Sequence, residues 1–243
     1  MKFINAIVAF GSTLLLALCL VAAGFAVVAV PDIATTQLSR AFSGCEQPDT
    51  PFSTDELCSM ATAGKHYTFD DNNPLKLNAA INAANDAVEA DGRASAATRT
   101  SETRSLTDEA RSHLDDVFRV VRVAKPALIA AAIVCIAGLA HVRVRIGKQA
   151  RGHVCAIAGG LVIATFAATG AWAAVDFLGM FNALHSLFFS AGTWTFAYDS
   201  LLITLYPTEF WMGMGGIWLA VTGALSILSV LIGMKIGKTN HGR

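Results

Sequence analysis

The chain has 243 residues, of which 54% are hydrophobic and only 15% charged, against roughly 25% charged in an average soluble domain. Its 18 basic and 18 acidic residues cancel, so there is no basic surplus for nucleic acid and no acidic surplus for a solvated tail. An ordinary soluble domain and a nucleic-acid partner are both excluded. Attention moves to the apolar runs, because about 20 apolar residues cross a bilayer core about 30 Å thick.

Residues 6–30 form an uncharged apolar run stopped by Pro31-Asp32. The run is longer than the core of a signal peptide, and Leu18 before Cys19 does not suit lipoprotein cleavage, so an uncleaved anchor helix is expected. The polar stretch that follows holds Cys45 and Cys58, the only cysteines outside apolar runs. An oxidising exterior permits them to pair, although two cysteines are also what chance supplies. Asn73-Pro74 predicts a helix over residues 75–90, with Leu77, Ile81, Ala84 and Val88 on one stripe. Residues 92–105 offer nothing to bury and read as a mobile linker.

From Leu106 a helical period runs through Ala110, Leu114, Val117, Val121 and Ala124, with Ser105 and Asp108 at capping-box spacing. This amphipathic helix feeds a second apolar run, 126–142, whose first residue, Pro126, suits a helix start. His113 lies on the flank of the apolar face, with Glu109 four residues before it and Asp116 three after, both within helical reach of the ring. Composition alone makes it a surface histidine of a charged helix, and Arg111 with Asp115 an ordinary surface pair.

The third and fourth apolar runs, 154–175 and 216–236, are rich in Ala and Gly, and Gly233 with Gly237 gives a small-residue pair suited to close helix packing. Between them lie ten of the chain's 21 aromatic residues. Phe177, Phe181, Leu184 and Phe188 form a stripe with His185 beside it, then come Trp194, Asp199 and an apolar stretch to Pro207. A charge-bearing turn interrupts this segment, so it reads as an interfacial or re-entrant element rather than a fifth crossing. His185 is either wetted by headgroups or a functional group at membrane depth. His66, His141, His153 and His241 read as solvated.

Sidedness follows from Lys and Arg, which concentrate in short cytoplasmic connections. Residues 143–153 hold Arg143, Arg145, Lys148 and Arg151 without an acid, and the tail holds Lys235, Lys238 and Arg243 without an acid. Residues 31–125 carry 15 acids against 10 bases, and residues 176–215 carry Asp176, Asp199 and Glu209 with no base. The expectation is an all-α membrane protein, a single integral-membrane domain over residues 1–243. Four transmembrane helices cross the bilayer, both termini are cytoplasmic, and an interfacial helix and the aromatic segment lie on the outer face.

No phosphate loop, dinucleotide fingerprint, paired-cysteine zinc site or Gly-x-Ser-x-Gly elbow is present, and the sequence calls for no cofactor. A metal-dependent hydrolase built from the histidines with Asp116, Asp199 or Glu209 has the ligand types but lacks ligand spacing.

Leu184-His185-Ser186-Leu187-Phe188-Phe189, Trp194-Thr195-Phe196, Asp199, Leu205-Tyr206-Pro207 and Phe210-Trp211 resemble the signature of a bacterial integral-membrane family, the lipoprotein intramolecular transacylases called Lit. Leu106-Thr107-Asp108-Glu109-Ala110 with Ser112-His113 and Asp116-Val117 is similar to that family's other motif. The resemblance implies an acyltransferase of the bacterial cytoplasmic membrane. It would move the sn-2 acyl chain of a diacylated lipoprotein onto the amine of that lipoprotein's N-terminal cysteine. One of His113 and His185 would act as base. The other, with a backbone donor or an arginine such as Arg104 or Arg111, would stabilise charge on the ester oxygens, with Asp116, Trp194 and Asp199 in support. The rival reading is a non-enzymatic scaffold or lipid-binding protein, in which the two histidines need not meet.

The charge count carries its own test. A single cysteine introduced as Ser95→Cys in a cysteine-free background should react with a membrane-impermeant maleimide on intact cells, and reaction only after permeabilisation would contradict the assigned sidedness.

Overall fold

Every regular element among the described residues of the computed structural model, 1–95 and 101–238, is helical. His241, Arg243 and the middle of the expected linker lie outside the described residues. In chain order the helices are α1 (Lys2–Ala29), α2 (Asp32–Phe42), α3 (Thr54–His66), α4 (Pro74–Ala90), α5 (Ser101–Arg104) and α6 (Asp108–His141). They continue with α7 (Lys148–Val175), α8 (Phe177–Ser186), α9 (Leu201–Leu205) and α10 (Thr208–Lys238). Single wide turns over Tyr67–Asp71 and Val142–Ile146 extend α3 and α6.

The chain divides into two compact units, one of Met1–Val27, Ala124–Met180 and Ile217–Arg243, the other of Val28–Val123 and Phe181–Gly216. The first gathers the apolar runs. The second gathers the two segments that charge counting assigns to the outside.

In the first unit, α1, α7, α10 and the helical run that contains α6 are each long and apolar enough to cross a membrane. Large apolar side chains such as Phe10, Ile133, Ile157 and Leu231 are exposed, a surface that suits lipid and would aggregate in water. Lipid tails are as apolar as these side chains, so the helices must associate through close packing. Small residues provide it. A Cβ on Gly152 of α7 would stand 2.7 Å from the Gly233 carbonyl oxygen and 3.1 Å from the Gly237 nitrogen of α10, and one on Gly24 of α1 would overlap Thr222. Trp218 of α10 joins three helices, since its Nε1 donates to the Val21 carbonyl at 3.2 Å and its ring meets Phe25 and Phe166 edge-on at 5.6 and 5.3 Å.

The second unit has a conventional core. The expected stripe of α4, Leu77, Ile81, Ala84 and Val88, is buried against α3, α6 and α9. Asn73 caps α4 by accepting from the Leu75 amide, with Pro74 at the first helical position. Ser53 and Glu56 form a capping box on α3. Arg93 reaches Glu56 through both terminal nitrogens, at 2.9 and 2.7 Å, and holds that carboxyl down at about 2. Lys65 is 7% exposed and donates at 2.6 Å to both the Val30 carbonyl and Asp32, which compensates the burial of its charge.

Several expectations are corrected. Pro126 does not begin a helix but lies inside α6. The helix tolerates the loss of one amide donor because propensity and periodicity favour helix on both sides of it. The cap of α6 comes from Thr107, whose hydroxyl accepts from the Ala110 amide at 3.2 Å. The described ends of the expected linker are fastened, since Arg93 grips Glu56 and Arg104 of α5 grips Asn85 and Glu89 of α4. Cys45 and Cys58 are free thiols. Cys58 is buried with its sulfur directed at the Thr36 carbonyl, whereas Cys45 is exposed beside Glu209, so the two point to different neighbours.

The packing of α7 on α10 is testable by contrast. Gly233→Val places methyls into the backbone of Gly152 and Ala156 and should lower stability by about 1–3 kcal/mol, the usual cost of overpacking. Gly223→Ala adds a Cβ that meets nothing within 4 Å and should be neutral or stabilising in detergent melts.

Candidate active site

His113 stands one turn and a half into α6, on the side packed into the second unit's core, between the buried Ala110 and Leu114. Its residue exposure is 8%, and among the described residues its Nδ1 has no hydrogen-bond partner. Among the described residues neither Glu109 nor Asp116 hydrogen-bonds this ring nitrogen. Asp116 pairs instead with Arg119 at 2.8 Å. The neighbouring Asp115, expected in a surface pair with Arg111, accepts from the Tyr67 hydroxyl at 2.5 Å and from Asn72 Nδ2 at 3.0 Å. Burial, then this carboxylate, push the Tyr67 hydroxyl up to about 12, so it remains a proton donor to Asp115 at any physiological pH. These bonds brace α6 against the end of α3 next to His113.

His185 is near the end of α8, which stops at Ser186; the amides of Phe188 and Phe189 turn back onto the His185 carbonyl at 3.0 and 2.9 Å. Its Nδ1 lies 3.0 Å from the Phe181 carbonyl. A carbonyl only accepts, so Nδ1 carries the hydrogen and Nε2 is left as the acceptor. Burial holds this imidazole below its ordinary pKa, partly offset by the bond to Phe181, which favours the protonated ring.

The two rings, from distant parts of the sequence, face each other with centroids 6.3 Å apart and planes inclined by 29°. Aromatic rings enclose them. Phe189 is edge-on to His113 at 4.9 Å and lies 5.7 Å from His185. Phe196 is 5.6 Å from His113, while Phe181 and Trp194 are 4.0 and 5.1 Å from His185. The site thus offers a neutral imidazole acceptor and a second imidazole in a desolvated setting where electrostatic interactions are strong.

The remaining expected residues distribute as follows. Trp194 is at the site. Asp199 is exposed on the loop before α9. Arg104 is engaged by Asn85 Oδ1 at 2.7 Å and by Glu89 at 2.5 Å, and Arg111 donates to Asn78 Oδ1 at 3.0 Å, so both bind α4 rather than the ring pair. Phe189 and Phe196 stand in the family signature but carry no assigned role in the sequence reading. The helical stripe pointed to Phe188, which is 61% exposed, because α8 ends before it and the turn swings its neighbour inward.

The family model for the lipoprotein intramolecular transacylase Lit matches residues 54–211, more than half of the chain, and spans both histidine segments. The chain belongs to the Lit family. Lit is a family of multi-pass membrane acyltransferases, in keeping with the four long apolar helices. The fold is that of the membrane integral Lit from Bacillus cereus. Its structure aligns with a TM-score of 0.72 at 15% identity, covering 98% of each chain. Two variants of the same Bacillus cereus protein, with one histidine replaced by arginine or by alanine, align at a TM-score of 0.65 and 15% identity. Both alignments cover 98% of this chain, and 93% and 95% respectively of theirs. No curated protein matches the chain.

Proposed function

We propose that this Lit-family chain transfers the sn-2 acyl group of a diacylated lipoprotein to the α-amine of that lipoprotein's N-terminal cysteine, giving the N-acyl lyso-form, and that His113 and His185 carry the reaction. The observation that supports this most is the ring pair, two imidazoles 6.3 Å apart inside one aromatic wall. His185 is the base. Its Nε2 takes a proton from the amine as the nitrogen attacks the ester carbonyl, the C–N bond forms, and the same proton passes to the glyceryl oxygen as the C–O bond breaks. The imidazole ends as it began, and no water is consumed. His113 donates a hydrogen bond to the departing glyceryl oxygen.

A proton held on one imidazole disfavours a proton on the other at this separation, which keeps the pair from charging together. Residues 31–125 and 176–215 lie on the outer side of the bacterial cytoplasmic membrane, where lipoprotein diacylglyceryl groups reside, and both termini lie inside. The charge distribution is the argument for that orientation.

The expected pH dependence has a definite sign. The cysteine α-amine, with a pKa of about 7.7 to 8.0, must be neutral to attack, so kcat/KM rises with pH towards about 8. Burial lowers the pKa of His185, so its basic form is already present at neutrality and is lost only as pH falls below about 6.5, its unperturbed value. His113→Ala and His185→Ala should each reduce conversion at least 10²-fold, the typical cost of losing a general base or its partner, with the protein still inserted. His66→Ala and His153→Ala should convert normally. The check is the mass of a lipoprotein's N-terminal peptide from a host without this activity. Full conversion by either predicted-dead variant would overturn the two-histidine reading, and no conversion by the unmodified protein with several lipoproteins would favour a lipid-binding role.

A further inference from the structure

An acyl transfer through a tetrahedral intermediate needs a donor aimed at the oxygen that becomes negative, and such donors are among the largest contributors to acyl-transfer catalysis. The arginines near the first motif are engaged on α4. His185 Nδ1 is engaged by Phe181, and His185 Nε2 is needed as an acceptor. His113 is assigned to the departing glyceryl oxygen, and Trp194 offers a further donor beside the ring pair. Trp194 Nε1 is buried from solvent, and among the described residues it has no hydrogen-bond partner. Its ring lies 5.1 Å from that of His185, inclined by 39°.

A buried indole N–H usually finds an acceptor, since leaving it unpaired forfeits about 1–3 kcal/mol. The local backbone is built to hold this residue. The Thr193 amide closes a turn on the Ser190 carbonyl at 3.2 Å, and Gly192 in that turn has φ +85°, which a residue with a Cβ resists. Four residues beyond Trp194, Tyr198 fastens the loop, its hydroxyl donating to the Glu46 carbonyl at 2.5 Å while Gln47 donates to its own carbonyl at 2.8 Å.

We infer that the Trp194 indole N–H is the oxyanion donor of the acyl transfer, hydrogen-bonding the sn-2 carbonyl oxygen as it becomes negative. The inference rests on the transacylase reading above and deepens it. An indole suits the task because it only donates and stays neutral across the working pH range, so it cannot exchange its proton with the base beside it. In the step, the amine nitrogen bonds to the ester carbon and its proton moves to His185. The carbonyl electron pair moves onto the oxygen held by Trp194, then returns as the bond to the glyceryl oxygen breaks and that oxygen takes the proton. Trp194 ends with the hydrogen it began with.

The test removes the N–H while keeping the ring. Trp194→Phe and a variant carrying benzothienylalanine at position 194, in which sulfur replaces the indole N–H, are assayed with a synthetic diacylated lipopeptide bearing a free N-terminal cysteine. Both should lose about 10²-fold in kcat with KM and the acid limb of the pH profile unchanged. A merely structural role predicts instead that the near-isosteric benzothienylalanine variant behaves as the unmodified protein, and activity within twofold in that variant overturns the inference even if Trp194→Phe misfolds. Inactivity of the unmodified protein with the lipopeptide would overturn the transacylase reading itself, a separate outcome.

Discussion

Two imidazoles are held face to face in an aromatic enclosure, with a ring nitrogen that has no partner among the described residues, and most of the second unit can be understood as what makes that arrangement tolerable. A buried, unsatisfied nitrogen costs about 1–3 kcal/mol. The fold has to supply that stability elsewhere. It does so with a buried stripe along α4, the Ser53 and Glu56 capping box gripped by Arg93, and the compensated Lys65 on Asp32. The bonds from Tyr67 and Asn72 to Asp115 have a more local effect, holding α6 two residues from His113. Pre-organisation of this kind places the rings before any substrate arrives, which is the condition for electrostatic catalysis.

The same chain solves a different problem in its first unit. There the surface is apolar and the interior is built from small residues, because helices in lipid associate by contact rather than by escape from water. Gly152 against Gly233 and Gly24 against Thr222 are such contacts. α6 belongs to both regimes, amphipathic and charged as far as Lys125 and apolar beyond it.

Much of this was legible from the residues. The apolar runs marked out the four long helices, because hydrophobic length is additive along a sequence. Asn73-Pro74 and the stripe of α4 were legible because capping and periodicity are local. The meeting of His113 and His185 was legible only through motif resemblance, since nothing local links two distant segments. What escaped the sequence was decided by tertiary context. Pro126 reads locally as a helix start, but helix-favouring sequence on both sides carries α6 through it. Phe188 and Phe189 exchanged roles because α8 ends at Ser186 and breaks the stripe. Arg104 and Arg111 have the chemistry of donors to an ester, but α4 offers them amide and carboxylate acceptors instead. Cys45 and Cys58 lie in one polar stretch of sequence yet face different neighbours.

In the proposed reaction His113 and His185 act as one catalytic unit on one ester. A rate-based double-mutant cycle tests it most directly, with residual transacylation of a diacylated lipopeptide measured for purified His113→Ala, His185→Ala and the double variant in the same lipid. Groups that act together are strongly non-additive, so the double variant should be no slower than the slower single variant within a small factor. If instead the two losses multiply, the histidines contribute independently and the account of a single paired site is wrong.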